Sequence, residues 1–501
     1  MTGASTLIRS SATEPCLPCP RHVLPAADWA KMAAALAEEP ALALLALWAD
    51  TAQVHALFFD EVHAEPLLVS TRIADGRYTT LSAARPVAAL FERMVQDLWG
   101  HAADGGTDAR PWLDHGHWPH ARPMALRPDE QRAHGEPPEF LALEDETLDQ
   151  VPLGPVHGGI EPASHLRLTV RGEAIVRLET RLGYTHKGTL ALMRGKSPRA
   201  AARFAARLSG AATVAHAIAF AHATEAALQA EPPPRAIALR GVMAEIERIT
   251  AHLGSLGAIG EAAGSPLLPA RCGVHREAVH RVAGSAFGHR LMMDCVIPGG
   301  VAADIAPGGP EAVLHALTAL AASLPELDDL CVRGPLARRL PGIGTIGMAQ
   351  AQSVAAGGVI GRAAGRAGDV RRSPGYLPYA LLAPPEPMPT TGDADARTRL
   401  RLMEIGDSIR VLRALLETLP PGPVSVPLPA GSGEGVGFAE AAHGDIWHWL
   451  RLDHGQIATA FLRDPAWAHW PLLEMTASGA QLADLPLILA SFDLAASGVD
   501  L

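Results

Sequence analysis

The chain has 501 residues, enough at about 100–200 residues per domain for two to four domains. It is 48% hydrophobic and 19% charged, a balance that excludes a disordered chain and allows sizeable cores. The formal net charge of −11, with no basic cluster, excludes general nucleic-acid binding, which needs gathered cations to neutralise phosphates. Residues 1–20 are rich in Ser, Thr and Pro, read as a flexible tail, and lack the apolar core of a signal peptide. Cys16 and Cys19 form a lone Cys-x-x-Cys with no second pair to complete a four-thiolate zinc site, and Cys272, Cys295 and Cys331 are isolated.

Residues 21–125 have the pattern of a small α/β domain. Residues 28–39 carry Trp29, Met32 and Leu36 at helical spacing, and residues 53–59 and 66–73 read as strands before the turn at Asp75-Gly76. Residues 87–98 form a second amphipathic helix with Leu90, Met94 and Leu98 in one stripe. Residues 126–150 combine Pro128, Pro137 and Pro138 with eight acids and read as a linker. The second domain, residues 151–501, opens on a hairpin, 166–170 and 174–179, around Arg171-Gly172-Glu173. Helical spacing then covers residues 198–229, 236–256, 311–324 and 396–418, and short strand-like runs occupy 423–484. Neither residues 41–48 nor residues 208–224, broken by His216 and His222, make the roughly 20 apolar residues of a membrane span. The fold class expected is α+β: a small α/β domain, then a large, mainly helical domain with β elements at both ends.

Ordered motifs in the second domain carry a resemblance. Residues 154–173 read GPVHGGIEPASHLRLTVRGE, residues 181–188 RLGYTHKG and residues 239–260 LRGVMAEIERITAHLGSLGAIG. Pro298-Gly-Gly-Val301, Asp369-Val-Arg371-Arg372, Gly392-Asp-Ala-Asp-Ala-Arg397 and a C-terminal SFDLAASGVDL follow. This set resembles the large-subunit family shared by complex I (its 49-kDa, D-type subunit) and [NiFe]-hydrogenases, closest to the group 4, formate-hydrogenlyase and hydrogenase-4 type. FERMVQDLWG (residues 91–100) and Asp108-Ala-Arg110-Pro-Trp112 resemble the end of the 30-kDa, C-type subunit, so two modules look fused.

The resemblance implies a nickel site held by four thiolates, because soft sulfur ligands hold nickel and bridge it to iron. At those positions this chain has Ser209, Ala212, Ala495 and Gly498, while the framework residues Arg207, Gly210 and Asp493 are kept. No nickel centre is therefore expected. The complex I side of the resemblance implies a quinone head-group site, with His157 and His165 as proton donors. The family's tyrosine position falls at Gly210 and its aspartate near Ala262, beside Glu261. Glu161 is the candidate proton gate, Asp369 and Arg371 are candidate cofactor-binding groups, and Glu245, Arg248 and His252 share one helix face at i, i+3, i+7.

The function implied is the large subunit of a membrane-associated, complex I-like or hydrogenase-4-like oxidoreductase, peripheral on the cytoplasmic face of the inner membrane. It would pass electrons from an iron–sulfur partner to quinone, coupled to ion translocation in an NADH-dehydrogenase-like assembly. No cofactor would be bound by this chain, and the [4Fe–4S] cluster would sit in a small partner subunit. A ferredoxin-like subunit and membrane-arm subunits complete the expected partners. The alternative is a non-catalytic scaffold subunit of such a complex.

Overall fold

The computed structural model describes residues 3–128, 139–157, 162–382 and 389–501. The first module starts with helix α1 (Ala4–Arg9), strands β1 (Ala12–Glu14) and β2 (Arg21–Leu24), and helix α2 (Ala26–Ala35). Strands β3 (Leu42–Ala49), β4 (Gln53–Asp60) and β5 (Glu65–Arg72) complete a five-stranded sheet, ordered β1-β2-β5-β4-β3. The parallel pair β6 (Arg77–Thr79) and β7 (Ala102–Asp104) flanks helix α3 (Ala88–Trp99). The apolar run LALLALWA, too short for a membrane, is β3, and every residue of it is buried. A strand can carry an unbroken apolar run only when both of its faces are covered. Helix α3 and the second module do this for β3.

The second module opens on an antiparallel sheet of β8 (Asp149–Leu153), β9 (His165–Arg171) and β10 (Ala174–Arg181). The helical middle follows: α4 (Thr189–Met193), α5 (Pro198–Ala205), α6 (Thr213–Leu228), α7 (Pro234–Ala262) and α8 (Leu267–Phe287). After the short pair β11 (Val296–Ile297) and β12 (Gly300–Val301) comes α9 (Gly309–Val332). The short helices α10 (Gly334–Arg339), α11 (Met348–Ser353) and α12 (Gly358–Ala363) lead to α13 (Ala394–Glu417). The chain closes with the antiparallel sheet β13 (Gly433–Glu440), β14 (Asp445–Asp453) and β15 (Gln456–Arg463). Helices α14 (Ala466–Ala477), α15 (Leu485–Phe492) and α16 (Ser497–Asp500) finish it. This is the expected architecture, a helical middle with sheets at both ends. No helix among the described residues is long and apolar enough to cross a membrane.

Local chemistry explains where the helices begin and break. Ser197 accepts the Ala200 amide and Pro198 occupies the first turn of α5, a standard start signal. The single helix expected over residues 198–229 is two, broken in the turn at Ser209-Gly210, where glycine weakens the helix. Helix α6 then lies on β13 at very short range. Gly433, Gly435 and Gly437 share one face of the strand, and a Cβ at any of them would run into the backbone of α6 at Ala219, Ala223 and Ala227. Alanines at i, i+4 and i+8 facing glycines at i, i+2 and i+4 let helix and sheet touch backbone to backbone.

The two modules share one core. Trp48 of β3 stacks on Phe461 with ring centroids 5.2 Å apart and meets Trp449 at 5.4 Å. Phe91 stacks on Trp467 at 4.6 Å. Arg21 binds Glu434 at 2.8 Å, Arg451 binds Asp50 at 2.8 Å and Arg366 binds Glu61 at 2.6 Å.

The expected flexible tail needs correcting. Ala4 and Ile8 are fully buried, and Leu17 exchanges backbone hydrogen bonds with Glu434 and Val436 across the module boundary. Composition misled because two buried apolar side chains and a strand edge anchor the segment, which Ser, Thr and Pro content does not reveal. Burial and weak electrostatic support push the Cys16 and Cys19 thiols well up, the latter to about 12, so neither is a ready thiolate. The linker expectation for residues 129–138 lies outside the described residues. Residues 139–142 are pinned to β10, with Arg181 donating to the Glu139 carbonyl and the Leu141 amide donating to Glu179.

Trp48→Ala removes the ring both modules pack around, at an expected cost of about 3–5 kcal/mol. Urea unfolding of the full chain should show one transition, shifted to lower denaturant by the substitution, with far-UV and tryptophan signals coincident. Two separate transitions in the unmodified chain would refute the shared core.

Candidate functional site

Two spaces meet at Asp493, which ends α15 in the left-handed region at φ +54°, a conformation aspartate tolerates better than most residues. The larger is a cleft of about 870 Å³ between residues 152–157 and 162–166, the end of α7 and helix α15. Its polar lining includes His157, Ser164, Glu261 and Asp493, and Trp470, Leu489 and Phe492 supply apolar wall. The smaller is a chamber of about 80 Å³ behind it, and Asp493 and Leu494 line both.

The chamber gathers the positions named from the sequence. Ser209 and Ala212 reach it from the α5–α6 turn and Ala495 from the C-terminal segment. Gly498 lies against the same wall, where a Cβ would run into the Asp464 carboxylate. No cysteine lines the chamber, whose ionisable groups are His443, Asp464, His469 and Asp493. Among the described residues no group of three or more His, Cys, Asp or Glu side chains is arranged to hold a metal ion.

Two histidine–carboxylate pairs face this space. His443 Nε2 lies 2.8 Å from Asp493 Oδ2, which also accepts the Ser255 hydroxyl of α7. Burial disfavours charge on both partners, but their mutual attraction wins, holding Asp493 below the carboxylate range and His443 above its ordinary value. Across the chamber, His216 Nε2 lies 2.9 Å from Asp464 Oδ2, and His216 Nδ1 lies 3.0 Å from His448 Nε2. Burial and the neighbouring His216 drive His448 well down, so it is neutral at physiological pH.

A buried ionic network lies on the other side of α7. Glu245 accepts the Tyr379 hydroxyl at 2.6 Å and approaches Arg248 at 3.3 Å and Arg371 at 3.5 Å. Arg362 binds Glu404 at 2.5 Å and Glu440 at 2.7 Å, and His252 lies 2.8 Å from Glu404. Glu245, Asp369, Glu404 and Glu440 thus face Arg248, Arg362 and Arg371, one carboxylate in excess. Burial, then the Asp369 charge, pushes Glu440 up, so it is the carboxylate of the four on which charge is most disfavoured. His252 does not balance the excess, because burial takes this imidazole down to about 4.

The sequence-derived candidates fare differently. His157 lines the cleft, its Nε2 2.7 Å from the Ser164 carbonyl, and this contact closes the loop over Gly154. His165 is displaced from the expected site. Ser164 and Leu166 line the cleft, so the two-residue period of β9 turns His165 to the opposite face, against Phe140 at 4.8 Å. Glu161 lies outside the described residues. Asp369 and Arg371 also need correcting: they bind each other at 2.6 Å, are buried, and line neither the cleft nor the chamber. The expected Glu245, Arg248 and His252 face exists, but as part of the ionic network.

Residue-by-residue reading missed His443, Asp464, His216, His448, Arg362, Glu404 and Glu440. The available signal was polarity inside an otherwise apolar element: His216 within the alanine run of α6, and His448 between Trp447 and Trp449. Such residues are buried and must find partners.

Glu247 of α7 holds the chamber's floor by accepting the Val214 and Ala215 amides at the start of α6, at 2.6 and 3.0 Å. Burial raises its carboxyl from 4.5 to about 7. The native chain therefore keeps a proton that the unfolded chain has lost, and stability falls as pH rises across that window. Glu247→Gln should gain on the unmodified chain between pH 5 and pH 7.5, by on the order of 2–3 kcal/mol, and then level off. Thermal melts across that range test it, and parallel pH dependence of the two chains would sink the assignment.

Comparison with known proteins fits this geometry. Residues 269–430 match the family model described as respiratory-chain NADH dehydrogenase, 49 Kd subunit, and residues 187–254 match that described as nickel-dependent hydrogenase. The chain is 28% identical over 433 residues to formate hydrogenlyase subunit 5 of Escherichia coli (strain K12), covering 83% of this chain and 75% of that one. It is 27% identical to the membrane-bound hydrogenase subunit alpha of Pyrococcus furiosus, covering 70% and 87% of the two chains. The D-type subunit of the NADH-quinone oxidoreductase of Thermosipho melanesiensis is 26% identical, with coverage of 69% and 98%. A chain of the membrane-bound sulfane sulfur reductase, an archaeal respiratory membrane complex, superposes with a TM-score of 0.67 at 26% identity, covering 72% of this chain and all of that one.

Proposed function

Because the chain belongs to the large-subunit family shared by complex I and [NiFe]-hydrogenases, we propose that it is the large subunit of a membrane-associated oxidoreductase that reduces a quinone-type acceptor without a nickel centre. The observation that carries this reading is the chamber. Four positions where the resemblance places thiolates converge there as Ser209, Ala212, Ala495 and Gly498, and the Asp464 carboxylate fills the space a side chain at 498 would need. Hydroxyl, methyl and hydrogen are not soft ligands, so these residues do not fit a nickel–iron centre. Beside the chamber the cleft remains large enough for an aromatic head group, and its apolar wall and few polar groups suit such a ligand.

Electrons come, on this reading, from an iron–sulfur cluster in a small partner subunit, with ferredoxin-like and membrane-arm subunits completing the complex. Reduction of a quinone to a quinol takes up two electrons and two protons. On this reading His157, which lines the cleft, gives a proton to the acceptor, and Glu261, which lines the same space, is a second acid.

Two measurements test the proposal. Elemental analysis of the purified complex should find nickel far below one atom per chain, and about one atom per chain would refute the reading of the chamber. His157→Ala in the assembled complex should lower quinone reduction by roughly 10²-fold, the scale of a lost general acid. An intact mutant complex with unchanged turnover would favour a non-catalytic scaffold.

A further inference from the structure

The chamber is walled by more ionisable groups than its size requires. Asp493 faces both the chamber and the cleft and holds His443 at 2.8 Å. Opposite it, Asp464 holds His216 at 2.9 Å, and His216 holds His448 at 3.0 Å. Both nitrogens of His216 are engaged, so a proton taken up at one can be released at the other. His448 is 1% exposed, and its Nδ1 has no hydrogen-bond partner among the described residues. A buried polar atom left open at the inner end of a hydrogen-bonded chain calls for a role beyond packing. A space of about 80 Å³ between the two pairs has room for about two waters, with Ser209, His443, Asp464 and Asp493 as partners.

From this placement we infer that His448, His216 and Asp464, then across the chamber His443 and Asp493, form a buried proton relay that ends at the cleft. The inference rests on the reading of the cleft as the place where an acceptor is reduced. As each electron arrives from the iron–sulfur partner, an acceptor oxygen gains an O–H bond and no group leaves. The proton comes from the His443–Asp493 pair, the His216–Asp464 pair replaces it across the chamber, and that pair regains its own from solvent at the chamber mouth, which exposed Ala211 lines. His443 is the hinge of this scheme. Asp493 and Asp464 bear on it from the two sides, Arg401 from α13, and Glu247 lies within its field. Its hydrogen bond to Asp493 outweighs burial and favours the proton-bearing form more than in an ordinary histidine. The residue is a proton donor to Asp493 rather than a group that touches the acceptor, and so counts as a positioning residue.

The test uses the assembled complex and ubiquinone-1 as the probe. His443→Gly should lower kcat by roughly 10²-fold with KM little changed, and added imidazole, which fits the enlarged chamber, should restore part of it. Asp464→Asn should lower kcat in the same direction, leave KM alone and respond to no added imidazole. A folded His443→Gly complex with unaltered kcat, or a loss that imidazole cannot restore, would overturn the relay. Histidine-selective NMR titration of the full chain gives an answer independent of turnover. The His443 signal, identified by its loss in His443→Gln, should titrate at a different pH in Asp464→Asn. Absence of that coupling overturns the relay even where quinone is reduced. If the unmodified complex reduces no quinone, the proposed function falls, and the coupling alone decides whether the relay stands.

Discussion

Helix α6 rests on strand β13 with no side chain between the two backbones, and much else follows from that contact. Gly433, Gly435 and Gly437 offer a bare strand face to Ala219, Ala223 and Ala227, so the helix axis is held closer than larger residues would permit. A helix fixed this way has a fixed start. Its first turn carries Ala212 at the chamber wall and His216 one turn later, within reach of His448 on the neighbouring strand. Glu247 of α7 completes the arrangement by binding the free amides of that turn. Any widening of the α6–β13 contact would move the chamber, the His216–Asp464 pair and the cap together.

The ionic network on the far side of α7 meets a different constraint. Burying seven charged side chains costs several kcal/mol per ion before any attraction is counted. Close pairing around Arg362 with Glu404 and Glu440 brings that cost down. Removing any partner would leave a buried charge unmatched, so the network holds α7, α12, α13 and the end of β13 in one relative position. We regard this as specification of geometry rather than as a source of stability. Arg366, just beyond α12, continues the tie to Glu61 of the first module, which explains how a small α/β unit comes to share the core of a larger one.

The cleft and the chamber have separate chemical characters although Asp493 belongs to both. The cleft is open and mixed, with apolar wall from α15 and polar groups from the loop. The chamber is small, and its ionisable groups come from three stretches of the C-terminal part of the chain, at 443, 464–469 and 493. Where a redox metal would need soft sulfur, the chain offers carboxylates and imidazoles, groups that move protons and not electrons. The pair His443–Asp493 joins the two spaces, since His443 lines the chamber and Asp493 lines both.

By itself the sequence determined whatever depends on short-range period and on residue identity. The 3.6-residue spacing placed α3 and α13 closely and the starts of α7 and α9, whose C-terminal turns it missed, the two-residue spacing placed β4, β5, β9 and β10, and the ordered motifs carried the family resemblance. That Ser, Ala, Ala and Gly stand at 209, 212, 495 and 498 was legible because it is a statement about identity alone. Tertiary structure decided the rest. Asp464 at the chamber, His443 beside Asp493 and the mutual pairing of Asp369 and Arg371 are contacts between segments whose separation carries no local period. The tail expectation failed for the same reason, since Ala4 and Ile8 are buried by residues that follow them at a distance. His165 was named as a proton donor although it points away from the cleft, because a motif fixes which residue is present, whereas the strand register fixes where it points.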